Sequence, residues 1–382
     1  MMTGNGTRPW GAGQSGPIGV LDIGTSKIVC LIASVDPRGP EHGDIPRATV
    51  LGVGHQRSRG VKAGVITDLD DAEEAVRTAV GQAERMAGVT LDAVYVAVSC
   101  GRLKSRIFSA NADVEAGVVA DGDISRAMAG GRAYAERDGR TLVHLNRLGF
   151  RLDRTAPVRD PRGMAARQLS ADLHAVTADD APVRNLVMAV ERCHLGVAGL
   201  IAAPYASALA ASTVDERRLG VTVIDLGGGT ATMASFADGQ LIHADAVPVG
   251  GNHLTYDIAR ALQAPLAEAE RIKALYGTLV VASSDEHEAF SYPLAGEEEG
   301  ATNRATRAQL RAVIQPRVAG TMALIAERLA RADMASVATG RVVLTGGSSQ
   351  LVGLGDFAAA ALGRPVRAAG VSQIAGLPAG VS

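Results

Sequence analysis

Two stretches of this sequence, far apart along the chain, share one pattern: a short aliphatic strand, an aspartate, and then a glycine-rich turn that carries a hydroxyl. The first stretch, residues 18–27, contains Asp22, and the second, residues 221–230, contains Asp225. Glycine permits positive φ and removes the Cβ that would keep main-chain N–H groups away from a phosphate. The repeat therefore predicts two related α/β lobes that clamp a phosphorylated ligand and its metal.

The residue types in the two turns define a candidate phosphate and metal site. Main-chain amides and hydroxyls donate to phosphate oxygens, and open α/β sheets bind ligands at the carboxyl ends of their strands, where Asp22 and Asp225 are expected. Mg²⁺ is usually held by one or two carboxylates, often through water. Such a turn can also simply end a strand, but two of them together with a third motif favour a ligand site. The predicted nucleotide contacts are Asp22, Gly24, Thr25, Ser26 and Lys27 in the first turn, and Asp225, Gly227, Gly228, Gly229 and Thr230 in the second.

A third glycine motif follows the aliphatic run of residues 341–345 and contains Gly346, Gly347 and Ser348. A flat backbone without side chains lets an adenine or a ribose lie against it. Between the second and third motifs, another glycine turn leads through Gly251 and Asn252 into a predicted helix. We include these residues in the candidate nucleotide site.

Hydrophobic periodicity predicts the elements around these motifs. Strands are expected at residues 17–35, 47–54 and 92–99. Helices are expected at 68–87 with Asp68 as N-cap, near 124–137, and at 183–193, 254–262, 265–276, 309–331 and 357–362. Pro316 should interrupt or kink the long helix, and the polar span 283–304 should hold a short hairpin.

The three motifs together resemble the superfamily of actin, sugar kinases and heat-shock-chaperone ATPases. Over residues 17–382 the chain closely resembles the bacterial cell-division FtsA family. The middle segments are the most specific, because chaperones, kinases and MreB-type filaments lack them. The segments that carry the resemblance are residues 60–66, 94–99, 160–164, 190–193, 215–220 and 343–351.

The resemblance implies an α/β, actin-like (ribonuclease H-like) two-lobed fold with an FtsA-type inserted subdomain, called IC, in the first lobe. A disordered tail is expected at residues 1–16. The expected domains are 17–99, 177–219 and 357–382 for the first-lobe core (IA), 100–176 for IC, 220–250 and 335–356 for the second-lobe core (IIA), and 251–334 for a helical subdomain (IIB).

The resemblance also implies a function. The chain would bind ATP or ADP with Mg²⁺, form polymers, link the FtsZ ring to the inner face of the cytoplasmic membrane, and recruit later division proteins through IC. Glu270 and Lys273 match side chains that reach the adenosine, although their spacing also suits a surface ion pair. Arg304, Arg311 and Arg317 are candidates for binding the C-terminal peptide of FtsZ, because a guanidinium suits a peptide carboxylate.

The sequence departs from the family pattern in two places. Ala203 occupies the position where a glutamate would orient the attacking water, and an alanine can neither accept a proton nor orient water. We therefore expect weak ATP hydrolysis or none. The membrane-binding amphipathic helix that ends FtsA proteins is not recognisable in the last 30 or so residues. We expect this chain to be trimmed of it, with a natural variant that lacks it as the alternative.

Composition limits the alternatives. With a net charge of −2 the chain has no general footprint for nucleic acid, and its three cysteines lack metal-binding spacing and are expected to be free thiols. A pilus adaptor resembling PilM remains an alternative, as does a small-molecule kinase of the same superfamily, against which Ala203 argues. The chaperone alternative fails because no peptide-binding β-domain follows.

Overall fold

The computed structural model describes residues 16–35, 48–100, 102–137, 139–296, 302–331, 340–370 and 375–377. The tail predicted at 1–16 lies almost wholly outside this range. The first part of the chain forms strands and one long helix before an insertion begins. Its elements are β1 (Ile18–Ile23), β2 (Lys27–Val35), β3 (Ala48–Arg57), β4 (Val61–Lys62), β5 (Val65–Ile66), α1 (Leu69–Ala87) and β6 (Ala93–Val98).

Helix α1 begins and ends where the sequence indicates. The Asp68 side chain accepts hydrogen bonds from the backbone N–H groups of Asp70 and Asp71, both at 3.0 Å, and Gly88 ends the helix with a φ of 67°. These are the N-cap and the left-handed C-terminal glycine that favour a defined helix. The apolar face of α1, including Val76 and Ala79, is buried against the first sheet.

The insertion forms an antiparallel sheet, ordered β7-β10-β8-β9, with one helix on it. Its core contains Phe150, Leu169 and Leu173, and Gly131 lets the helix approach closely, because a Cβ there would overlap Leu173. The elements are β7 (Lys104–Asp113), α2 (Asp121–Ala135), β8 (Arg140–Leu152), β9 (Pro157–Val158) and β10 (Gln168–Asp179).

After the insertion the chain completes the first sheet and builds the second. The linking elements are α3 (Asp180–Glu191), β11 (Gly196–Ala202), α4 (Ala203–Ala211) and α5 (Val214–Leu219). The second half then contains β12 (Val221–Leu226), β13 (Ala231–Ala237), β14 (Gln240–Val247), α6 (Gly251–Leu262), α7 (Leu266–Tyr276), β15 (Ala289–Pro293), β16 (Thr302–Thr306), α8 (Arg307–Arg331), β17 (Arg341–Thr345), a 3-10 turn (Gly347–Gln350), α9 (Leu354–Leu362) and β18 (Val366–Ala368).

The two central sheets have the same topology. The first is ordered β3-β2-β1-β6-β11 and the second β14-β13-β12-β17-β18. In each sheet the middle strand pairs antiparallel with the strand that follows it and parallel with the strand on its other side. Asp22 and Asp225 lie near the carboxyl ends of these two middle strands, as the repeated motif predicts.

Helices α6, α7 and α8 and the β15–β16 hairpin form a separate helical layer in the second half. Helix α8 continues through Pro316 rather than dividing there. Leu310 and Ile314 before the proline and Val318 after it are all buried in one core, and this packing holds the two halves of the helix together. Of the two outcomes expected at Pro316, the interruption is therefore not seen, and the kink stays a prediction.

The assignment of residues 357–382 to the first lobe is wrong for 357–368. Strand β18 pairs parallel with β17, and Leu354 and Ala358 of α9 are buried in the core of the second lobe. A strand, a helix and a parallel strand form the usual crossover unit, so the segment completes the second sheet. The chain then returns to the first lobe at Ala375, whose carbonyl accepts a 2.8 Å hydrogen bond from Val50 N.

Helix α4 also joins the two halves, since it contacts β11 and β6 of the first sheet and β12, β13 and β14 of the second. No helix in the described parts of the chain is long and apolar enough to span a membrane.

Candidate functional site

The two glycine turns close in the same way. Gly24 N donates to Lys27 O at 3.0 Å, and Gly227 N donates to Thr230 O at 2.9 Å. A Cβ on Gly24 would lie 2.8 Å from Lys27 O, and one on Gly227 would lie 3.0 Å from Thr230 O. A side chain would thus crowd the same place in both turns.

The two turns also face each other. A Cβ on Gly228 would overlap the Ser26 hydroxyl, and a Cβ on Gly229 would overlap the Thr25 side chain. Ser26 Oγ donates to Asn252 Oδ1 at 3.2 Å, which ties the first turn to the start of α6. The predicted pairing of the two motifs is therefore a direct contact between the lobes.

Two carboxylates lie beside this contact. The pKa of Asp22 is raised to about 6, first by burial and then by the neighbouring charge of Asp225, while Lys27 opposes the rise. Water reaches the Asp22 side chain, but the protein around it leaves less solvent to stabilise its charge. Burial also raises the pKa of Asp225, while a hydrogen bond from Ser207 and the charge of Lys27 oppose this. The two acids thus form a site where a cation would be favoured.

The donor set fits Mg²⁺ held together with phosphates. Carboxylates with hydroxyls nearby suit a hard dication. Within the described residues, no group of three or more His, Cys, Asp or Glu side chains could hold a metal by itself. A metal here would therefore be shared between Asp22, Asp225 and the ligand.

The third motif meets the second turn. Gly346 has a φ of 85°, and a Cβ on it would overlap Asp225 Oδ1. Ser348 Oγ lies 3.4 Å from Gly227 O, and a Cβ on Gly251 would overlap the Ser348 hydroxyl. Backbone hydrogen bonds fix the start of α6 on the second turn, from Gly251 N to Gly227 O at 2.9 Å and from Asn252 N to Gly228 O at 2.7 Å.

Glu270 and Lys273 lie next to this corner. They form the 2.7 Å ion pair that their spacing suggested. Lys273 Nζ also donates to Thr255 Oγ1 at 2.9 Å and lies 3.3 Å from the carbonyl of Gly251, and its side chain is only 15% exposed. The pair therefore lies against the glycine turn that starts α6. This position is compatible with both alternatives, a contact with the adenosine and a simple ion pair.

Sequence reasoning missed two polar side chains of the site. Thr255 lies one turn after Gly251 and donates to Glu270 Oε2 at 2.5 Å. Ser207 lies one turn after Ala203 on α4 and donates to Asp225 Oδ2 at 2.5 Å. Four-residue spacing from residues already considered was the signal that could have found both. Ala203 itself is the first residue of α4 and brings a methyl group to this end of the helix.

The three arginines proposed for peptide binding are in different environments. Arg317 forms a two-point pair with Asp257 at 2.6 and 3.0 Å. Arg311 pairs with Asp285, whose side chain is 3% exposed. Arg304 is exposed on β16. Arg317 comes six positions after Arg311, so the two lie roughly a third of a turn apart around α8.

Comparison with known structures defines the class. The chain superimposes on a PilM–PilN type IV pilus biogenesis complex with a TM-score of 0.63 at 15% identity, covering 93% of this chain and 88% of that one. It matches MreB 5 of Spiroplasma citri bound to AMPPNP with a TM-score of 0.53 at 14% identity, covering 94% and 92%. The protein has the two-lobed, actin-like fold with an inserted subdomain.

Sequence comparison gives the family. Residues 222–377 match the model of the cell division protein FtsA, and residues 100–177 match the SHS2 domain inserted in FtsA. The chain is 42% identical over 352 residues to FtsA of Rhizobium meliloti (strain 1021), covering 91% of this chain and 79% of that protein. It is 31% identical to FtsA of Escherichia coli (strain K12), covering 87% and 79%. The chain belongs to the FtsA family of cell-division proteins.

Proposed function

We propose that this chain binds ATP or ADP with Mg²⁺ between its two lobes, and that the bound nucleotide holds the lobes in a shape that polymerises. The observation that carries the proposal is the direct contact of Thr25 and Ser26 with Gly228 and Gly229. A ligand bound at this contact touches both lobes at once. Its binding therefore favours one relative position of the lobes over others.

Each part of the site has a task in this proposal. Asp22 and Asp225 would hold Mg²⁺ through water, backbone amides of the two turns other than those of Gly24 and Gly227 would bind the phosphates, and Lys27 would offset their charge. The backbone at Gly346 and Gly347 receives the adenosine, with Glu270 and Lys273 beside it. Bound Mg²⁺ supplies charge neutralisation for the phosphates.

Hydrolysis in this site is weak or absent. Ala203 starts α4 where a water-orienting carboxylate would be needed, and its methyl group cannot take a proton. An assembly protein is better served by a bound nucleotide that stays intact than by one that is hydrolysed rapidly.

We further propose that the polymer links FtsZ to the inner face of the cytoplasmic membrane, with the helical layer as the receptor for the C-terminal peptide of FtsZ. Arg317 is the best supported of the three arginines, because its pair with Asp257 is partly exposed and can exchange for a peptide carboxylate. Arg311 would have to leave the buried Asp285 unpaired, which is costly. The inserted subdomain recruits later division proteins, and membrane contact requires an amphipathic segment outside the described residues.

Electron microscopy on lipid monolayers with FtsZ tests the assembly role. The chain carrying a C-terminal amphipathic helix should form filaments and recruit FtsZ with Mg²⁺–ATP, and should do neither in EDTA without nucleotide. The same protein without the helix is the control for membrane attachment. Filaments that form equally well in both conditions would contradict a nucleotide-dependent assembly.

Peptide binding separates the proposed partner from the alternative adaptor. A C-terminal FtsZ peptide should bind the wild type, and Arg317→Ala should weaken it more than Arg304→Ala. Binding of a pilus-protein N-terminal peptide instead would favour the PilM-like alternative.

A further inference from the structure

Helix α4 presents a polar group to the cleft one turn after the alanine that starts it. Residues four apart lie on the same face of a helix, so Ser207 shares the face of Ala203. Its hydroxyl donates to Asp225 Oδ2 at 2.5 Å. The polar group that α4 brings to the proposed metal site is thus a hydroxyl bonded to a carboxylate.

Each carboxylate oxygen of Asp225 is constrained by a different neighbour. Oδ2 accepts from Ser207, and Oδ1 lies so close to Gly346 that a Cβ there would overlap it. An aspartate at the end of a strand has otherwise a broad choice of carboxylate angles. The hydroxyl and the glycine together select one of them.

The helix that carries Ser207 is itself held firmly. Ala202 N, just before α4, donates to His144 Nε2 of β8 at 2.9 Å. The Tyr205 ring packs against His144 at 5.0 Å between centroids and against Phe236 of β13 at 6.1 Å. Contacts with the inserted subdomain and the second sheet therefore fix the position from which Ser207 donates.

We propose that Ser207 is a positioning residue for Mg²⁺ binding, and that its hydroxyl holds Asp225 at the angle from which the carboxylate binds a water of the metal. This inference rests on the proposed nucleotide site and adds to it a residue on α4. Hydrogen-bond partners of metal-binding carboxylates commonly contribute about 10-fold or more to metal affinity.

Isothermal titration calorimetry with ATP, carried out in Mg²⁺ and separately in EDTA, tests the inference. Ser207→Ala should weaken ATP binding by about 10-fold in Mg²⁺ and leave binding in EDTA unchanged. Ser207→Thr keeps the hydroxyl and should restore most of the affinity. Ser212→Ala is the matched control, because this hydroxyl at the end of the same helix donates to Ala208 O and accepts from Arg217, and makes no hydrogen bond to Asp225.

Two further variants keep the test decisive. Ser207→Cys fills the same space with a weak donor and should behave like Ser207→Ala, so it replaces the alanine variant if that one unfolds. An equal loss of affinity in Mg²⁺ and in EDTA would mean a structural role and overturn the inference. Unchanged affinity in Ser207→Ala, with a loss in Asp225→Asn, would overturn it and leave the proposed function standing. A wild type that binds no nucleotide would instead overturn the proposed function.

Discussion

Glycines and small hydroxyls, more than charged groups, shape the contact between the lobes. Gly229 is buried against Thr25, and Thr25 Oγ1 also accepts a 3.0 Å hydrogen bond from Gly64 N. Thr25 is thus enclosed from two directions and cannot easily move aside. Close packing of this kind makes a single added methyl group costly.

Gly229→Ala should therefore destabilise the protein and weaken nucleotide binding. We expect a loss of about 1–3 kcal/mol in the free energy of unfolding, measured by denaturant titration, together with weaker Mg²⁺–ATP binding. Gly355→Ala on α9 is the control, since a Cβ there meets no atom within 4 Å. Equal stability of the two variants would show that the lobes do not meet as described.

Ala203 is the residue on which the expectation of slow hydrolysis depends. Ala203→Glu would place a carboxylate at the start of α4, and a positioned base contributes at least about 10-fold to such reactions. Phosphate release from Mg²⁺–ATP should rise by that factor, whereas Ala203→Gln tests orientation of the water without a base. Rapid hydrolysis by the wild type would contradict the argument.

Asp22 gives the metal-free cleft a dependence on pH. Its folded-state pKa of about 6 is above that of an unfolded aspartate, so the folded state binds more protons and loses stability as pH rises through this range. Asp22→Asn should therefore raise the melting temperature of the metal-free protein more near pH 7 than near pH 4. A gain of the same size at both pH values would argue against a raised pKa.

At the scale of elements, the sequence identified most helices and the motif strands because their signals are local. Asp68 and Gly88 mark the two ends of α1, and apolar spacing marks α8. The placement of α9 and β18 was mistaken because tertiary packing sets which strands are neighbours in a sheet, and no local sequence pattern encodes this. The spacing of Ser207 from Ala203 is a local signal, but its bond to Asp225 joins α4 to β12, and no local pattern encodes that pairing.

The inserted subdomain meets the rest of the chain at a joint that contains His144, His174 and His243, and this joint should be sensitive to acid. Burial lowers the pKa of His144 to about 4 and that of His174 to about 3, with His243 and His144 adding to the second shift. His243 is itself buried, with Asp245 opposing its lowered pKa, and Arg328 lies 3.5 Å from Asp245. Ser105 on β7 joins His174 to the second lobe by accepting from Ala244 N at 3.1 Å.

This joint should loosen in acid. The folded state keeps the histidines neutral and an unfolded histidine titrates near 6.5, so their stabilisation is full above about pH 6.5 and is lost as pH falls toward 4. His144→Phe should reduce the drop in melting temperature between about pH 7 and pH 5, while lowering stability at neutral pH because Ala202 N loses its acceptor. An unchanged acid response would show that this histidine is not involved.

At the scale of the whole molecule, the described residues show two sheets of equal topology that meet at the twin glycine turns, at helix α4 and at the inserted subdomain, which contacts α4 and β14. The proposed nucleotide site lies at the twin glycine turns, and Asp225 is bonded to Ser207 of α4. Under the proposed function, occupancy of this site would bear on how the lobes and the inserted subdomain are arranged, which is the property an assembly protein needs.

The most direct test of the central claim is calorimetric titration of ATP into the wild type, Asp22→Asn and Asp225→Asn, each with Mg²⁺ and with EDTA. Asp160→Asn, on the exposed side of the inserted subdomain, is the matched control. We predict Mg²⁺-dependent binding in the wild type and in the control, and a loss of about 10-fold or more in each cleft variant. Binding of equal strength in all four proteins, with or without Mg²⁺, would contradict a metal–nucleotide site between the twin turns.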